Sequence, residues 1–268
     1  MVLTRRNFLI KSAIAWFALP SCGTTPHSGR TRFILPESMT QENKMGEEYY
    51  KKVLGESKLS NNRTYVDMVK RVGNRISKAT GQKYKWEFNV IESDQINAWA
   101  LPGGKIAFYT GIFKMFKNEA ELAAVMGHEI AHVTLRHGGE RMSQQVVQKL
   151  GGSVIAGLAA NEQQQQIFLG AYAGVTTVGV MLPFSRAHEF EADNVGTRYM
   201  AQAGYEPNAA VDFWKRMKEA SKGSKPPELL STHPADSKRI KELKKFMSKA
   251  KKIYGKSSQK HGMGQQIS

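Results

Sequence analysis

The chain has 268 residues, with 39 Lys or Arg against 23 Asp or Glu and a formal net charge of +16. That length is enough for a sizeable hydrophobic core, and the single cysteine excludes an internal disulfide. Neither the apolar core of the first 22 residues nor either apolar piece between Leu150 and Leu182 reaches the roughly twenty uninterrupted apolar residues that a spanning helix needs.

Residues 1–21 read as an export signal rather than part of the fold. Thr4-Arg5-Arg6-Asn7-Phe8-Leu9-Ile10-Lys11 resembles the twin-arginine form, and Ser12 to Leu19 supplies a short apolar core. That core ends in Leu19-Pro20-Ser21-Cys22, which resembles a bacterial lipobox even though Pro20 is an unusual occupant. The lone cysteine, Cys22, is thus the expected lipidation site and membrane anchor. Gly23 stands where an inner-membrane lipoprotein often carries Asp, which points to the outer membrane. Residues 22–37 are rich in Thr, Ser, Pro and Gly and read as a flexible tether.

A single domain is expected over residues 38–254. Between Tyr49 and Ala79 the pattern is helical, with Tyr65, Met68, Val69, Val72 and Ile76 on one stripe and Thr80-Gly81 closing it. Lys83 to Glu92 alternates as a strand does. Ala98–Leu101 and Lys105–Tyr109 read as two more strands around a Pro102-Gly103-Gly104 turn. From Asn118 to His137 the pattern is helical again, with acids in its first turn and Gly138-Gly139 as the stop.

That helix carries His128-Glu129-Ile130-Ala131-His132. Residues four apart on a helix lie one above the other, so both imidazoles can point at one metal ion. Glu129 lies beside them, where it can take a proton from a metal-activated water. A catalytic zinc takes three protein ligands and keeps one position open. His137 lies about 140° off the His132 face of a straight helix and is a poor third ligand; it reads as a cation-capable group near the helix C-terminus. Farther on, Glu189 and Asp193 are four apart in a helical segment from Ser185 to about Ala203. Glu189 can complete a His₂Glu set, and Asp193 can accept the free N–H of a ligating imidazole. His188 and Glu191 point elsewhere on that helix.

Leu150 to Leu182 holds two Gly-punctuated apolar pieces around Asn161-Glu-Gln-Gln-Gln-Gln166. They read as two loosely packed helices, either a cover over the cleft or a plain hairpin. Pro207 opens another helix that runs to about Ala220. The positive charge concentrates between Lys215 and Lys260, where 15 Lys or Arg face 4 Asp or Glu. An export signal and the lack of interleaved aromatics argue against nucleic acid as a partner. A solvated helix face is the default reading, with acidic lipid or envelope polymer as the functional alternative. Residues 255–268 are polar and are expected to be a disordered tail.

His128-Glu-Ile-Ala-His132-Val-Thr-Leu-Arg-His137, followed about fifty residues later by Ser185-Arg-Ala-His-Glu-Phe-Glu-Ala-Asp-Asn-Val-Gly196, resembles the HtpX and CAAX prenyl protease family of gluzincin metalloendopeptidases. The likeness is to its soluble bacterial envelope-lipoprotein branch, the LoiP- and BepA-like proteins. It runs from about Met39 to about Phe246 and includes Asn97-Ala-Trp-Ala-Leu-Pro-Gly-Gly-Lys-Ile106 and Ser231-Thr-His233-Pro234, with Arg239 six residues past His233. Ala235 stands where the family's His-Pro segment carries a second proline.

The resemblance implies an α+β fold, a mainly helical zincin-like domain with a small sheet next to the HExxH helix. It implies one Zn²⁺ per chain on His128, His132 and Glu189. Glu129 is then the general base, Asp193 the partner of a ligand, and His233 and Arg239 lie near the reacting centre, where either helps to stabilise the oxyanion. His233 on its Thr-His-Pro segment is alternatively a latch on the open metal position. By likeness to gluzincins, the Ile106–Tyr109 strand forms the rim of the cleft, where an edge can hold an extended peptide. The implied function is cleavage of misfolded or unassembled envelope proteins in the periplasm. The alternative is a non-proteolytic lipoprotein chaperone or binding module with a structural zinc.

Overall fold

The computed structural model describes residues 22–25, 28–34, 39–150 and 185–262. The signal segment and the Gly-punctuated stretch 151–184 lie outside the described residues. Part of the stretch expected to be a tether is ordered: Cys22–Thr24 (β1) and Thr31–Phe33 (β2) pair antiparallel as a hairpin. Its anchorage is ionic rather than apolar, which is why its composition reads as linker. Arg32 Nη1 donates to Leu135 O at 2.6 Å, and Arg30 pairs with Glu140 and Glu191.

The first helical stretch divides into α1 (Met39–Gly55) and α2 (Arg63–Ala79). Asn62 Oδ1 accepts the Tyr65 N–H at 3.2 Å and caps α2. The expected stripe Met68, Val69, Val72 and Ile76 is buried, and Tyr65 stacks on Phe113 with centroids 3.8 Å apart. The three expected strands form one sheet: β3 (Glu87–Ile91), β4 (Ala98–Leu101) and β5 (Lys105–Tyr109), in the order β3-β5-β4. β3 runs parallel to β5 and β4 antiparallel to it. Gly103 and Gly104, both at φ +83°, make the β4–β5 turn, a conformation that a side chain disfavours.

Side chains alternate across the sheet. Phe88, Val90, Ala98, Ala100, Ile106 and Phe108 enter the main core with α2, while Trp99, Leu101, Ala107 and Tyr109 pack with Tyr49, Tyr50 and Val53 of α1. With both faces covered, β4 and β5 are buried at every residue. The expectation that Ile106–Tyr109 is the free rim is corrected by this order. β5 is hydrogen-bonded on both sides, and the outer strand that packs against the HExxH helix is β4.

A 3₁₀ turn (Thr110–Met115) leads to α3 (Glu119–Thr134), which is buried over its whole length, its five acids and histidines included. Asn118 Oδ1 accepts the Glu121 N–H at 3.1 Å, and the acids of the first turn suit the positive end of the helix dipole. The helix does not run on to His137. Leu135 caps it, Arg136 takes a left-handed φ of 56°, and a new helix, α4 (His137–Leu150), begins in another direction. Gly138-Gly139 therefore lies inside the first turn of α4 rather than stopping α3. A Cβ on Gly139 would meet the Glu42 carboxylate at 2.8 Å.

The second half is helical: α5 (Arg186–Gln202), α6 (Asn208–Ala220), the single turn α7 (Leu229–Thr232) and α8 (Ser237–Lys256). Ser185 Oγ accepts the His188 N–H at 3.2 Å and Asp236 Oδ1 the Arg239 N–H at 2.8 Å, capping α5 and α8. Past Lys256, part of the expected disordered tail is held, since the His261 N–H donates to Gly204 O at 2.8 Å. No described helix is long and apolar enough to cross a membrane. The architecture is α+β, mainly helical, with the small sheet beside the HExxH helix, as the sequence predicts.

α3 and α5 cross at Gly127 and Gly196. A Cβ on Gly127 would lie 2.6 Å from Gly196 O, and one on Gly196 would lie 2.6 Å from Gly127 C. Both obstacles are backbone atoms, so no rotamer relieves them. Gly196→Ala is expected to cost about 1–3 kcal/mol through overpacking, read as a lower urea midpoint at unchanged slope.

Candidate metal centre

The crossing of α3 and α5 brings the HExxH imidazoles to the first turn of α5. His128 Nε2 and His132 Nε2 face each other at 3.0 Å. Glu189 Oε2 lies 3.4 Å from His128 Nε2, and Glu189 Oε1 lies 3.4 Å from His132 Nε2. His233, at the C-cap of α7, joins them: its Nδ1 is 3.1 Å from His128 Nε2 and 3.1 Å from Glu189 Oε1. One ligand atom from each of these four buried residues falls within 4.8 Å of all the others, and no other such group occurs among the described residues.

This donor set fits a zinc ion. Tetrahedral nitrogen and oxygen ligands at about 2.0–2.1 Å from the metal stand roughly 3.3–3.4 Å apart, close to the spacings found. The proton inventory agrees. His128 Nδ1–H donates to Asp193 Oδ1 at 3.0 Å, which leaves the Nε2 lone pair aimed at the other donors. Buried lone pairs aimed at one another need a cation between them.

Glu129, next to His128 on α3, is buried, and its Oε1 has no hydrogen-bond partner among the described residues. His233 Nε2 stands 3.6 Å away. Burial pushes the Glu129 carboxyl up to about 7, with the nearby His233 opposing and Glu189 adding to the rise. The Glu189 carboxyl goes the other way. Burial opposes its ionisation, but the His233, Arg239 and His128 charges hold it well below the usual carboxylate range.

Arg239 comes from α8 and is 1 % exposed. Its Nε donates to Asp193 Oδ2 at 2.6 Å, one Nη to Asp193 Oδ1 at 2.8 Å, and the other Nη pairs with Glu189 Oε2 at 2.8 Å. The guanidinium lies 3.6 Å from the centre of the Trp214 ring. Arg239 is therefore near the centre as expected but is bound to the two carboxylates, with its fork committed to holding them.

The sequence reading missed a second buried network behind His132. His137 is not a cation at the end of the metal helix. Its Nδ1 is 2.9 Å from His132 Nδ1, its Nε2 is 3.1 Å from Glu191 Oε2, and burial lowers its pKa to about 4. His188 and Glu191 face away from the metal donors, as the helix phase predicts, yet both are engaged. His188 Nε2 lies 3.1 Å from Glu140 Oε2, and its ring stacks on His137 at 4.4 Å. Burial opposes ionisation of Glu140, but the hydrogen bonds from Arg30 and His188 bring its pKa down to about 2. The left-handed Arg136 swings His137 into this place, and only a residue type other than Gly at that position hid the turn. Arg136 itself is pinned by Glu42, with Nε to Oε2 at 2.9 Å. Beside that pair, Ala100, Leu101, Pro102, His132 and Val133 line a recess between β4 and the metal helix.

Two imidazoles from an HExxH helix with a carboxylate from a second helix define the gluzincin arrangement. The chain belongs to peptidase family M48, whose pattern it matches over residues 64–247. It is 36 % identical over 232 residues to the mitochondrial metalloendopeptidase OMA1 of Schizosaccharomyces pombe, covering 84 % of this chain and 66 % of that protein. It is 31 % identical over 249 residues to the beta-barrel assembly-enhancing protease of Escherichia coli strain K12, covering 90 % of this chain and 49 % of that one. The OMA1 of Saccharomyces cerevisiae is 33 % identical over 180 residues, which span 65 % of this chain and 50 % of it. The chain thus spans about half to two thirds of the length of these relatives.

Removing the guanidinium leaves Asp193 and Glu189 buried without their counter-charge. In the metal-free protein Arg239→Met is expected to lose about 3–5 kcal/mol of stability, measured by urea unfolding in the presence of a chelator.

Proposed function

We propose that this protein is a zinc-dependent metalloendopeptidase. The observation that carries the reading is the convergence of His128, His132 and Glu189 beside a buried Glu129 carboxylate whose Oε1 accepts no hydrogen bond among the described residues. Held by His128, His132 and Glu189, a zinc ion would supply Lewis acidity toward the scissile carbonyl and would lower the pKa of a water molecule toward about 7. Glu129 Oε1 takes the proton of that water and returns it to the leaving amine. Burial raises this carboxyl in the metal-free site, which favours its taking a proton. Asp193 holds the His128 tautomer, and Arg239 positions Asp193 and Glu189 rather than meeting the oxyanion. An extended substrate lies along the outer strand β4, whose Ala100 and Leu101 border the recess next to His132.

His233 has the role of a latch in this reading, because its Nδ1 shares the donor set. A zinc bound by all four side chains has no position left for water. That same closed set is what a structural zinc has, so it also supports the rival, a lipoprotein chaperone or binding module that holds partners without cutting them.

The substrates we propose are misfolded or unassembled proteins of the bacterial cell envelope, met from a lipid anchor on Cys22 at the periplasmic face of the outer membrane. The signal-like residues 1–21 and the lipobox-like Leu19–Cys22 support the location. The β-barrel assembly named for the Escherichia coli relative supports the substrate class.

Incubation of the full chain with zinc and unfolded casein tests the activity. Glu129→Gln is expected to lose about 10²–10⁴-fold in cleavage rate while keeping one zinc per chain; near-wild-type cleavage by this variant defeats the mechanism. Glu189→Ala is expected to lose zinc and activity together, and stoichiometric zinc in the purified variant contradicts its role. His233→Ala decides between the two places for that side chain. Faster cleavage supports the latch, and slower cleavage supports oxyanion stabilisation.

A further inference from the structure

The two HExxH imidazoles are oriented in different ways. His128 meets a carboxylate directly, through Nδ1 and Asp193 Oδ1 at 3.0 Å. His132 meets another imidazole: its Nδ1 is 2.9 Å from His137 Nδ1, and His137 Nε2 is 3.1 Å from Glu191 Oε2. Two Nδ1 atoms at hydrogen-bond distance share one proton, so one donates and one accepts.

Coordination decides which. A metal ligand must present a lone pair on Nε2, so the His132 proton sits on Nδ1 and points at His137. His137 must then accept with Nδ1 and carry its own proton on Nε2, facing Glu191, which as a carboxylate can only accept. The pattern is directional and closed: His132 Nδ1–H donates to His137 Nδ1, and His137 Nε2–H donates to Glu191 Oε2. The opposite tautomer of His137 would put a proton against the His132 Nδ1–H and leave a lone pair facing Glu191.

Glu191 is itself clamped. Arg30 Nε donates to its Oε2 at 2.9 Å, and the hydroxyls of Thr25 and Ser28 bond its Oε1. The other face of the Arg30 fork holds Glu140, with its two Nη atoms 2.8 and 2.7 Å from the two carboxylate oxygens. Glu140 in turn bonds His188, whose ring stacks on His137. Thr25, Ser28 and Arg30 all belong to the β1–β2 hairpin, the segment that begins at Cys22.

We propose that His137 and Glu191 are positioning residues that fix the tautomer and ring orientation of His132, and that Arg30, from the N-terminal hairpin, holds Glu191 in the orientation this requires. Docking of the hairpin is then linked to metal affinity, so the segment next to the proposed anchor residue acts on the centre through Glu191 and His137. This rests on the metal-site reading above but does not require that the site cut peptides.

The test has two parts. Zinc affinity of the full chain is measured by competition with a chromogenic chelator. Glu191→Gln and His137→Leu are each expected to weaken it about 10–100-fold, the range for partners of a ligating imidazole. Arg30→Met is expected to weaken it less, and Arg30→Met combined with Glu191→Gln to fall short of additivity, because Arg30 acts on His137 through Glu191 as well as through Glu140 and His188. Affinity within twofold of wild type in both Glu191→Gln and His137→Leu overturns the proposal, as does full additivity in the double variant. The second part needs no variant and so survives any that fails to fold. Long-range ¹H–¹⁵N correlation spectra of the zinc-loaded wild type are expected to show His137 protonated at Nε2 and His132 at Nδ1; His137 protonated at Nδ1 overturns the proposal. Wild type that shows these tautomers and binds zinc yet leaves casein intact removes the protease reading and keeps the relay. Cleavage of casein by a protein with the opposite His137 tautomer does the reverse.

Discussion

Everything at the centre depends on how closely α3 and α5 approach. Gly127 and Gly196 let one backbone rest on the other, and that contact sets the distance from the HExxH pair to the first turn of α5. Glu189 is a short side chain with little reach to spare. Its oxygens lie 3.4 Å from the Nε2 atoms of His128 and His132 only because the two helix axes are pressed together at a point where neither carries a Cβ. The Ser185 cap then fixes where α5 starts, and so which residue occupies its first turn.

Such closeness has an electrostatic cost that the rest of the fold answers. Several ionisable side chains are removed from water together, and a buried charge without a partner is among the most destabilising groups a protein can hold. Arg239 answers for Glu189 and Asp193 at once, and the face of Trp214 covers the guanidinium where water would otherwise sit. Glu129 receives less of this compensation, since the His233 and Arg239 charges act on it without a hydrogen bond to its Oε1 among the described residues. Its raised pKa is the consequence of burial without a donor, and it is the one property of the cluster that suits proton transfer rather than holding a metal. Stability and chemistry are thus divided between neighbouring carboxylates by which of them Arg239 reaches.

The same division recurs behind His132, where Arg30 and the hairpin hydroxyls neutralise Glu140 and Glu191. A metal site on two helices would need only α3 and α5. This chain adds a strand pair from its N-terminal end and builds it into the hydrogen bonds that reach a ligand.

Much of this was legible in the sequence because it is periodic or local. The i, i+4 pairs His128–His132 and Glu189–Asp193, the α2 stripe, the strand–turn–strand around Gly103-Gly104 and the capped starts of α3 and α5 follow from helix pitch, pleat and the hydrogen-bonding needs of a few short stretches. Those rules act within a few residues, so the sequence by itself determined the elements and marked His128, His132 and Glu189 as candidate metal donors. What it did not determine are the places where one element decides the role of another. The break at Arg136 carries no glycine, and only the Glu42 side chain and the packing of α4 show why His137 turns back toward His132. Strand order placed β4 rather than β5 on the outside, since pairing partners are not encoded within a strand. Arg30 looks like any solvated cation of a basic chain, and resemblance alone drew Arg239 toward the centre; the tertiary structure decided that Arg239 is buried and Arg30 half-buried against their carboxylates, because a charge finds its counter-charge through space rather than along the backbone.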